Sequence, residues 1–121
     1  MRDTSSTIQP YSFARRYRLT RPAEFARVFN KSRRSRDRYF TLLYRANDQD
    51  SARLGFAIAK KRIASAVKRN RVRRVARESF RHQRADLPNI DIIILAQSAA
   101  AGASRTELHN SLAQHWSRLS G

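Results

Sequence analysis

Residues 65–84 have two chemically different faces when they are placed on a helix, and their sequence reads SAVKRNRVRRVARESFRHQR. At about 100° per residue, one arc of the wheel collects small and apolar side chains. These are Val72, Val75, Ala76, Ser79 and Phe80. The opposite arc collects Asn70, Arg73, Arg74, Arg77, Arg81 and Arg84. Since Ser65 is a suitable N-cap, the pattern predicts a helix from residue 66 to about residue 84 that packs with one face and binds with the other.

Further cations surround the start of this helix. They lie just before it or in its first two turns, and they are Lys60, Lys61, Arg62, Lys68, Arg69 and Arg71. Cations at a helix N-terminus oppose the helix dipole, so stability alone does not explain them. A solvated helix face would also carry Glu partners, yet Glu78 is the only acid between residues 60 and 83. Because arginine binds phosphate bidentately, the segment predicts a phosphate-binding surface.

The whole chain is strongly basic, with 26 Lys+Arg against 9 Asp+Glu and a formal net charge of +17 in 121 residues. Such self-repulsion favours an anionic partner, and nucleic acid is the first candidate. The absence of cysteine rules out a disulfide scaffold, a zinc finger and a thiol nucleophile. Neither a secretory signal nor an apolar run of about 20 residues is present, so we expect a cytoplasmic protein without membrane association.

The rest of the sequence predicts a single α+β domain. We expect a flexible basic segment over residues 1–17 and one nucleic-acid-binding domain over residues 18–121. The predicted elements are a helix at 19–32, strands at 36–46 and 53–59, the basic helix, a strand at 90–96 and a last helix after Ser104. Ser104 and Glu107 have the spacing of a capping box.

The sequence shows no catalytic or metal-binding constellation. Its acids are few and dispersed, its three histidines lack metal-ligand spacing, and three glycines cannot form a phosphate-binding loop. Aromatic side chains are more numerous than one side of a small sheet needs: Phe25, Phe29, Tyr39, Phe40, Tyr44 and Phe56. Each is expected in the core more often than not, but one or two exposed rings would stack on unpaired bases.

Residues 63–81 resemble the protein subunit of bacterial ribonuclease P. The signature of that family is an Ala, an Arg-Asn-Arg triplet, an aliphatic residue, a basic pair and a further Arg. It is matched by Ala66, Arg69, Asn70, Arg71, Val72, Arg73, Arg74 and Arg77. Residues 19–29, 53–61 and 91–96 also resemble family segments, so the similarity spans about residues 15–119. The lead-in before Tyr17 is longer than in the family, which leaves residues 1–14 outside the pattern.

The resemblance implies a small α-β sandwich like the second domain of ribosomal protein S5, in the order α-β-β-(β)-α-β-α with a left-handed βαβ crossover. It implies a ribonucleoprotein endonuclease that frees the mature 5′ end of tRNA. In that family the catalytic RNA with Mg²⁺ performs the chemistry, so no protein metal site and no obligate protein partner are expected. The partners are the catalytic RNA and the single-stranded 5′ leader of precursor tRNA.

The resemblance also assigns roles to residues of this chain. Carried onto it, the residues facing RNA are Lys60, Lys61, Lys68, Arg69, Asn70, Arg71, Arg73, Arg74 and Arg77, and charge adds Arg62 and Arg81. The leader cleft, between the first helix and the sheet, would use Phe25 and Phe29. Tyr39 and Tyr44 are candidates for the same cleft, but their opposite parity along one strand admits at most one of them.

Three other classes of protein remain open at this point. A ribosomal-type protein would bind RNA structurally without supporting tRNA processing. A basic amphipathic helix would bind anionic membranes, although the apolar face around Val72 and Phe80 is modest for that task. A protein-only nuclease would cleave without an RNA subunit.

Overall fold

A four-stranded sheet forms the centre of the computed structural model, which describes residues 17–120. The strands are β1 (Arg33–Arg36), β2 (Phe40–Ala46), β3 (Arg53–Phe56) and β4 (Ile90–Ala96). Their order across the sheet is β1-β2-β4-β3, and only the β3–β4 pair is parallel. The helices are α1 (Pro22–Asn30), α2 (Ala66–Gln83) and α3 (Arg105–Ser120). This confirms the predicted α+β order with its optional strand present.

The two faces of the sheet are covered by different helices. On one face, Phe40, Leu42 and Ile92 pack with Phe80 of α2 and Trp116 of α3 in the larger cluster of buried residues. The opposite face carries a smaller cluster that contains Val28 of α1 with Leu43 and Ile93. β4 is therefore covered on both sides, as its continuous apolar run predicts. None of the helices within residues 17–120 is long and apolar enough to cross a membrane.

The caps predicted for the two long helices are present. Ser65 Oγ accepts a hydrogen bond from the Lys68 N–H at 3.2 Å at the start of α2. Before α3, the Ser104 N–H donates to Glu107 Oε1 at 2.8 Å and the Glu107 N–H donates to Ser104 Oγ at 3.0 Å. α2 connects the parallel strands β3 and β4, and the left-handedness of that crossover stays a prediction.

The prediction of a single strand over residues 36–46 is wrong at its start. A turn at Asp37 divides this region, because its Oδ1 accepts the N–H groups of Tyr39 and Phe40, each at 2.9 Å. β1 ends before that turn and β2 begins after it. The first helix and the second strand are also shorter than predicted, and α1 starts at Pro22, whose fixed φ suits a first helical residue.

The predicted basic segment over residues 1–17 lies outside the described residues except for Tyr17. The Tyr17 side chain is buried in the larger core cluster. Arg18 forms a parallel bridge with Leu54, and the Leu19 N–H donates to the Leu54 carbonyl at 2.9 Å. The chain thus enters the domain along the outer edge of β3.

Candidate nucleic-acid interface

The outer face of α2 carries a line of polar and charged side chains that we call the arginine row: Asn70, Arg73, Arg74, Arg77 and Arg81. Four of these residues, all except Arg73, line an open groove of about 410 Å³. Arg73 donates to Asn70 Oδ1 at 2.9 Å, so the asparagine orients a guanidinium one turn further along the helix. The helical periodicity of the sequence therefore correctly places these side chains on one face.

Arg69 and Arg71 have a second role that the sequence pattern did not indicate. Arg69 Nη1 donates to the carbonyls of Ile63 and Ala64, at 2.9 and 2.8 Å. Arg71 Nη2 donates to the carbonyl of Ala103 at 2.9 Å, just before α3. Because each guanidinium has five N–H donors, both side chains fix the start of α2 and keep further donors for a ligand.

Positive charges crowd one another along the arginine row. The Arg77 guanidinium lies 5.3 Å from the centre of the Phe56 ring. Partial burial lowers the pKa of Arg77, and the positive charges of Arg73 and Arg18 lower it further. A phosphate between these groups would relieve the repulsion, so the site is electrostatically suited to a polyanion.

The loop before α2 and the first turn of the helix extend this positive surface, since the side chains of Lys60, Lys61, Arg62 and Lys68 are all exposed. Glu78, the one acid of α2, is directed away from them towards α3. It forms an ion pair with Arg105 and lies within hydrogen-bond distance of His109, whose Nε2 is 3.2 Å from Glu78 Oε1. The predicted phosphate-binding residues are thus brought together without a neutralising acid among them.

The opposite face of the sheet holds a second candidate surface, the α1 cleft, formed by Phe25 and Phe29 with the strands beneath α1. The Phe25 ring lies so close to Gly55 that a Cβ there would be 2.7 Å from Phe25 Cζ and 2.9 Å from Leu19 Cβ. Phe29, one turn later, is 50% exposed. One ring is therefore seated on the sheet while the other is available for stacking.

Arg53 joins α1 to the sheet beside this cleft. Its Nε and Nη2 donate to the two carboxylate oxygens of Asp91, each at 2.8 Å, and its Nη1 donates to Glu24 Oε2 at 2.8 Å. The hydrogen bonds from Arg53 to Asp91 raise the pKa of Arg53, against the effect of burial. Burial alone would raise the pKa of Glu24, but the N–H groups of Arg21 and Thr20 together with Arg53 lower it.

This cluster, which positions α1, was not predicted from the sequence. Its one available signal was Asp91, an acid next to the apolar run of β4. A buried carboxylate in a strand requires a cationic or hydrogen-bonding partner. The sequence does not identify that partner, because Arg53 lies in a different strand.

Tyr39 and Tyr44 lie on the other side of the sheet from the α1 cleft. Both pack against the cluster formed with α2 and α3, and the Tyr39 hydroxyl donates to Glu107 Oε2 at 3.4 Å. In β2, Tyr44 lies on the same face as Phe40 and Leu42. Tyr39 precedes the strand, so the alternation of side chains along β2 does not determine its side of the sheet. The structure brings Phe25 and Phe29 together but not the two tyrosines with them.

The histidines have structural partners. His115 is fully buried, its Nδ1 lies 2.7 Å from Ser35 Oγ, and its Nε2 lies 3.3 Å from Asp37 Oδ1 without hydrogen-bond geometry. Burial lowers the pKa of His115 although Asp37 opposes that shift. In the part of the chain that the structure describes, no group of three or more His, Asp or Glu side chains is placed to hold a metal ion.

The fold and these surfaces define a small α+β domain whose basic helix has a surface electrostatically suited to a polyanion. A family model described as Ribonuclease P matches residues 13–120. The chain is 44% identical over 108 residues to the ribonuclease P protein component of Thioalkalivibrio sulfidiphilus, covering 89% of this chain and 90% of that protein. It is 39% identical over 112 residues to the component of Pseudoalteromonas translucida, covering 93% and 80%.

Solved structures agree with the sequence comparisons. The RNase P protein of Staphylococcus aureus superimposes with a TM-score of 0.76 at 31% identity, over 81% of this chain and 90% of that one. The RNase P protein of Thermotoga maritima also gives a TM-score of 0.76, at 26% identity, over 86% and 98%. The chain belongs to the ribonuclease P protein family. It is the protein subunit of an endoribonuclease that acts on tRNA with an RNA partner.

Proposed function

We propose that the arginine row and the exposed cations before α2 bind the catalytic RNA, while the α1 cleft binds the single-stranded 5′ leader of precursor tRNA in the cytoplasm. The observation that carries this proposal is that the arginine row and the Phe25–Phe29 pair lie on opposite faces of one sheet. One small domain can therefore contact two RNA segments at once. Tyr39 and Tyr44 are left out of the leader surface.

The cleavage chemistry is assigned to the RNA subunit with Mg²⁺. The acidic side chains that the structure describes near the cleft do not fit a protein-held Mg²⁺, because they already have partners. Glu24 and Asp91 bind Arg53, and Asp48 lies 3.9 Å from Arg27. The protein contributes binding: neutralised phosphates release counterions, which makes affinity depend on salt.

Leader binding would favour the precursor over the product. Mature tRNA has lost the leader, so a protein that holds both the catalytic RNA and the leader raises the effective concentration of the precursor alone. The α1 cleft supports this role because Phe29 offers an exposed ring on a helix fixed by Phe25, Arg53 and Glu24. Stacking on such a ring does not depend on the identity of the base, as processing of many precursors requires.

Replacing Phe29 by Ala should reduce the preference of the holoenzyme for precursor over mature tRNA by about five- to tenfold, the loss of one base-stacking contact. The measurement is the ratio of the two dissociation constants at constant salt. Phe29 is the better target than Phe25, because its ring is half exposed and its removal leaves the packing on Gly55 intact.

Val67→Ala is the matched control, because Val67 is an exposed large apolar side chain, 79% accessible, away from the α1 cleft. It should leave the ratio of dissociation constants unchanged. A Phe29→Ala holoenzyme that keeps the wild-type ratio would show that the α1 cleft does not hold the leader.

A further inference from the structure

A pocket of about 730 Å³ opens at the end of the sheet where α3 finishes, and we call it the end pocket. Tyr44, Ile90 and Leu119 provide apolar surface, and Lys31, Arg33 and Arg118 lie around them. Its volume falls within the range of about 300–1,000 Å³ that small-ligand sites occupy. No acidic side chain of the described residues lines it.

Tyr44 gives the end pocket an aromatic surface with a cation beside it. Its cross-strand neighbours are Arg33 in β1 and Ile92 in β4, so all three side chains share one face of the sheet. The ring is only partly buried, and its hydroxyl makes no hydrogen bond with any residue in the described range. An aromatic ring flanked by a guanidinium is a suitable surface for a flat heteroaromatic base.

The cations of the end pocket differ in how they are held. Arg118 donates to Ser35 Oγ at 3.2 Å and to the Arg36 carbonyl at 3.5 Å, which keeps its guanidinium at the rim. Lys31 and Arg33 are exposed and form neither a hydrogen bond nor an ion pair with another side chain that the structure describes. Two unengaged cations beside an aromatic ring combine the requirements for a phosphate and for a base in one site.

We propose that the end pocket binds one unpaired ribonucleotide, with its base against Tyr44 and its phosphate between Lys31 and Arg33. This goes beyond the proposed function, because the pocket lies on the α3 side of the sheet and the leader surface lies on the α1 side. The charge and the aromatic ring favour RNA over an acidic protein segment, which would use the cations but gain little from Tyr44.

The first test measures binding of a labelled oligouridylate of about eight nucleotides to the full chain. Tyr44→Ala should weaken binding about tenfold, and Tyr44→Phe should bind like the wild type because it retains the ring. Arg33→Ala should weaken binding and reduce the slope of log affinity against log salt by about one. Arg38→Ala removes the same charge from the far end of the β1–β2 hairpin. It should reduce affinity and salt slope less than Arg33→Ala does.

Equal affinity of the Tyr44→Ala and Tyr44→Phe variants would overturn the proposal. The proposal would also be overturned if oligoglutamate competed completely for the part of the binding that depends on Tyr44. That result would indicate an acidic protein partner. Loss of leader preference in Phe29→Ala together with wild-type behaviour of Tyr44→Ala would contradict only the end pocket and leave the proposed function standing.

Tyr44 also contacts the core, so the second test uses the unaltered chain in the holoenzyme. 4-Thiouridine is placed in the leader in one arm and at unpaired positions of the RNA subunit in the other. Cross-linking from either arm to the peptide that contains Tyr44 would support the end pocket and identify the source of the nucleotide. Cross-links confined to α1 and α2 in both arms would refute it.

Discussion

Replacing Asp91 by Ala is expected to lower the free energy of unfolding by about 3–5 kcal/mol, the usual effect of removing one partner from a buried ion pair. Asp91 is only 2% exposed and binds Arg53 through both carboxylate oxygens, while Asn47 Nδ2 donates to it at 2.8 Å. The variant would leave the Arg53 guanidinium with Glu24 alone and the Asn47 amide with one fewer partner. Denaturant unfolding followed by circular dichroism measures the change.

Two further variants separate the buried pair from general charge effects. Asp86→Ala removes an exposed carboxylate and should change stability by less than about 0.5 kcal/mol. Adding Arg53→Met to Asp91→Ala removes the guanidinium that has lost its buried partner and should restore part of the loss. A loss below about 1 kcal/mol for Asp91→Ala would mean that the buried Arg53–Asp91 ion pair contributes little to the stability of the fold.

The double variant Arg73→Ala/Arg74→Ala should weaken binding to the catalytic RNA by at least about tenfold and reduce the salt slope by about two. Both guanidiniums belong to the arginine row, and Arg73 is oriented by Asn70. Hydrogen bonds to charged groups contribute about 1.5–3 kcal/mol each, so even partial loss of two phosphate contacts gives a change of this size. Binding isotherms over a range of salt concentrations measure affinity and slope together.

Arg36→Ala/Arg38→Ala is the control of equal charge, since both residues are exposed and lie outside α2. Any loss that comes from net charge alone should appear in it as well. If both double variants showed the same affinity and the same salt slope, the arginine row would contribute no more to phosphate binding than other exposed arginines do.

The sequence predicted best the features that depend on local periodicity. The buried face of α2 follows from Val72, Val75, Ala76 and Phe80, and these four are the buried residues of that helix. In α3 the same spacing relates Leu108, Leu112, His115, Trp116 and Leu119, and all five are buried. In both cases a 3.6-residue repeat within one element determines which side chains reach the core.

Features that depend on contacts between distant residues were not predictable in the same way. β1 reads RRSR and has no apolar residue, because the strand directs only Ser35 inward, where Ser35 Oγ meets the His115 ring. The carbonyl contacts of Arg69 and Arg71 likewise depend on where the β3–α2 loop and the start of α3 lie. Strand alternation did not apply to Tyr39 for a local reason, since this residue lies in the Asp37 turn before β2 begins.

Reconstitution tests most directly whether this chain supports cleavage that the RNA performs. The full chain is added to bacterial ribonuclease P RNA at low Mg²⁺, and cleavage of precursor tRNA at the mature 5′ end is followed over time. We expect faster cleavage than with the RNA alone and no cleavage by the chain alone. An unchanged rate would indicate a purely structural RNA-binding protein, and cleavage without the RNA subunit would place the chemistry in the protein; either result would contradict the function proposed here.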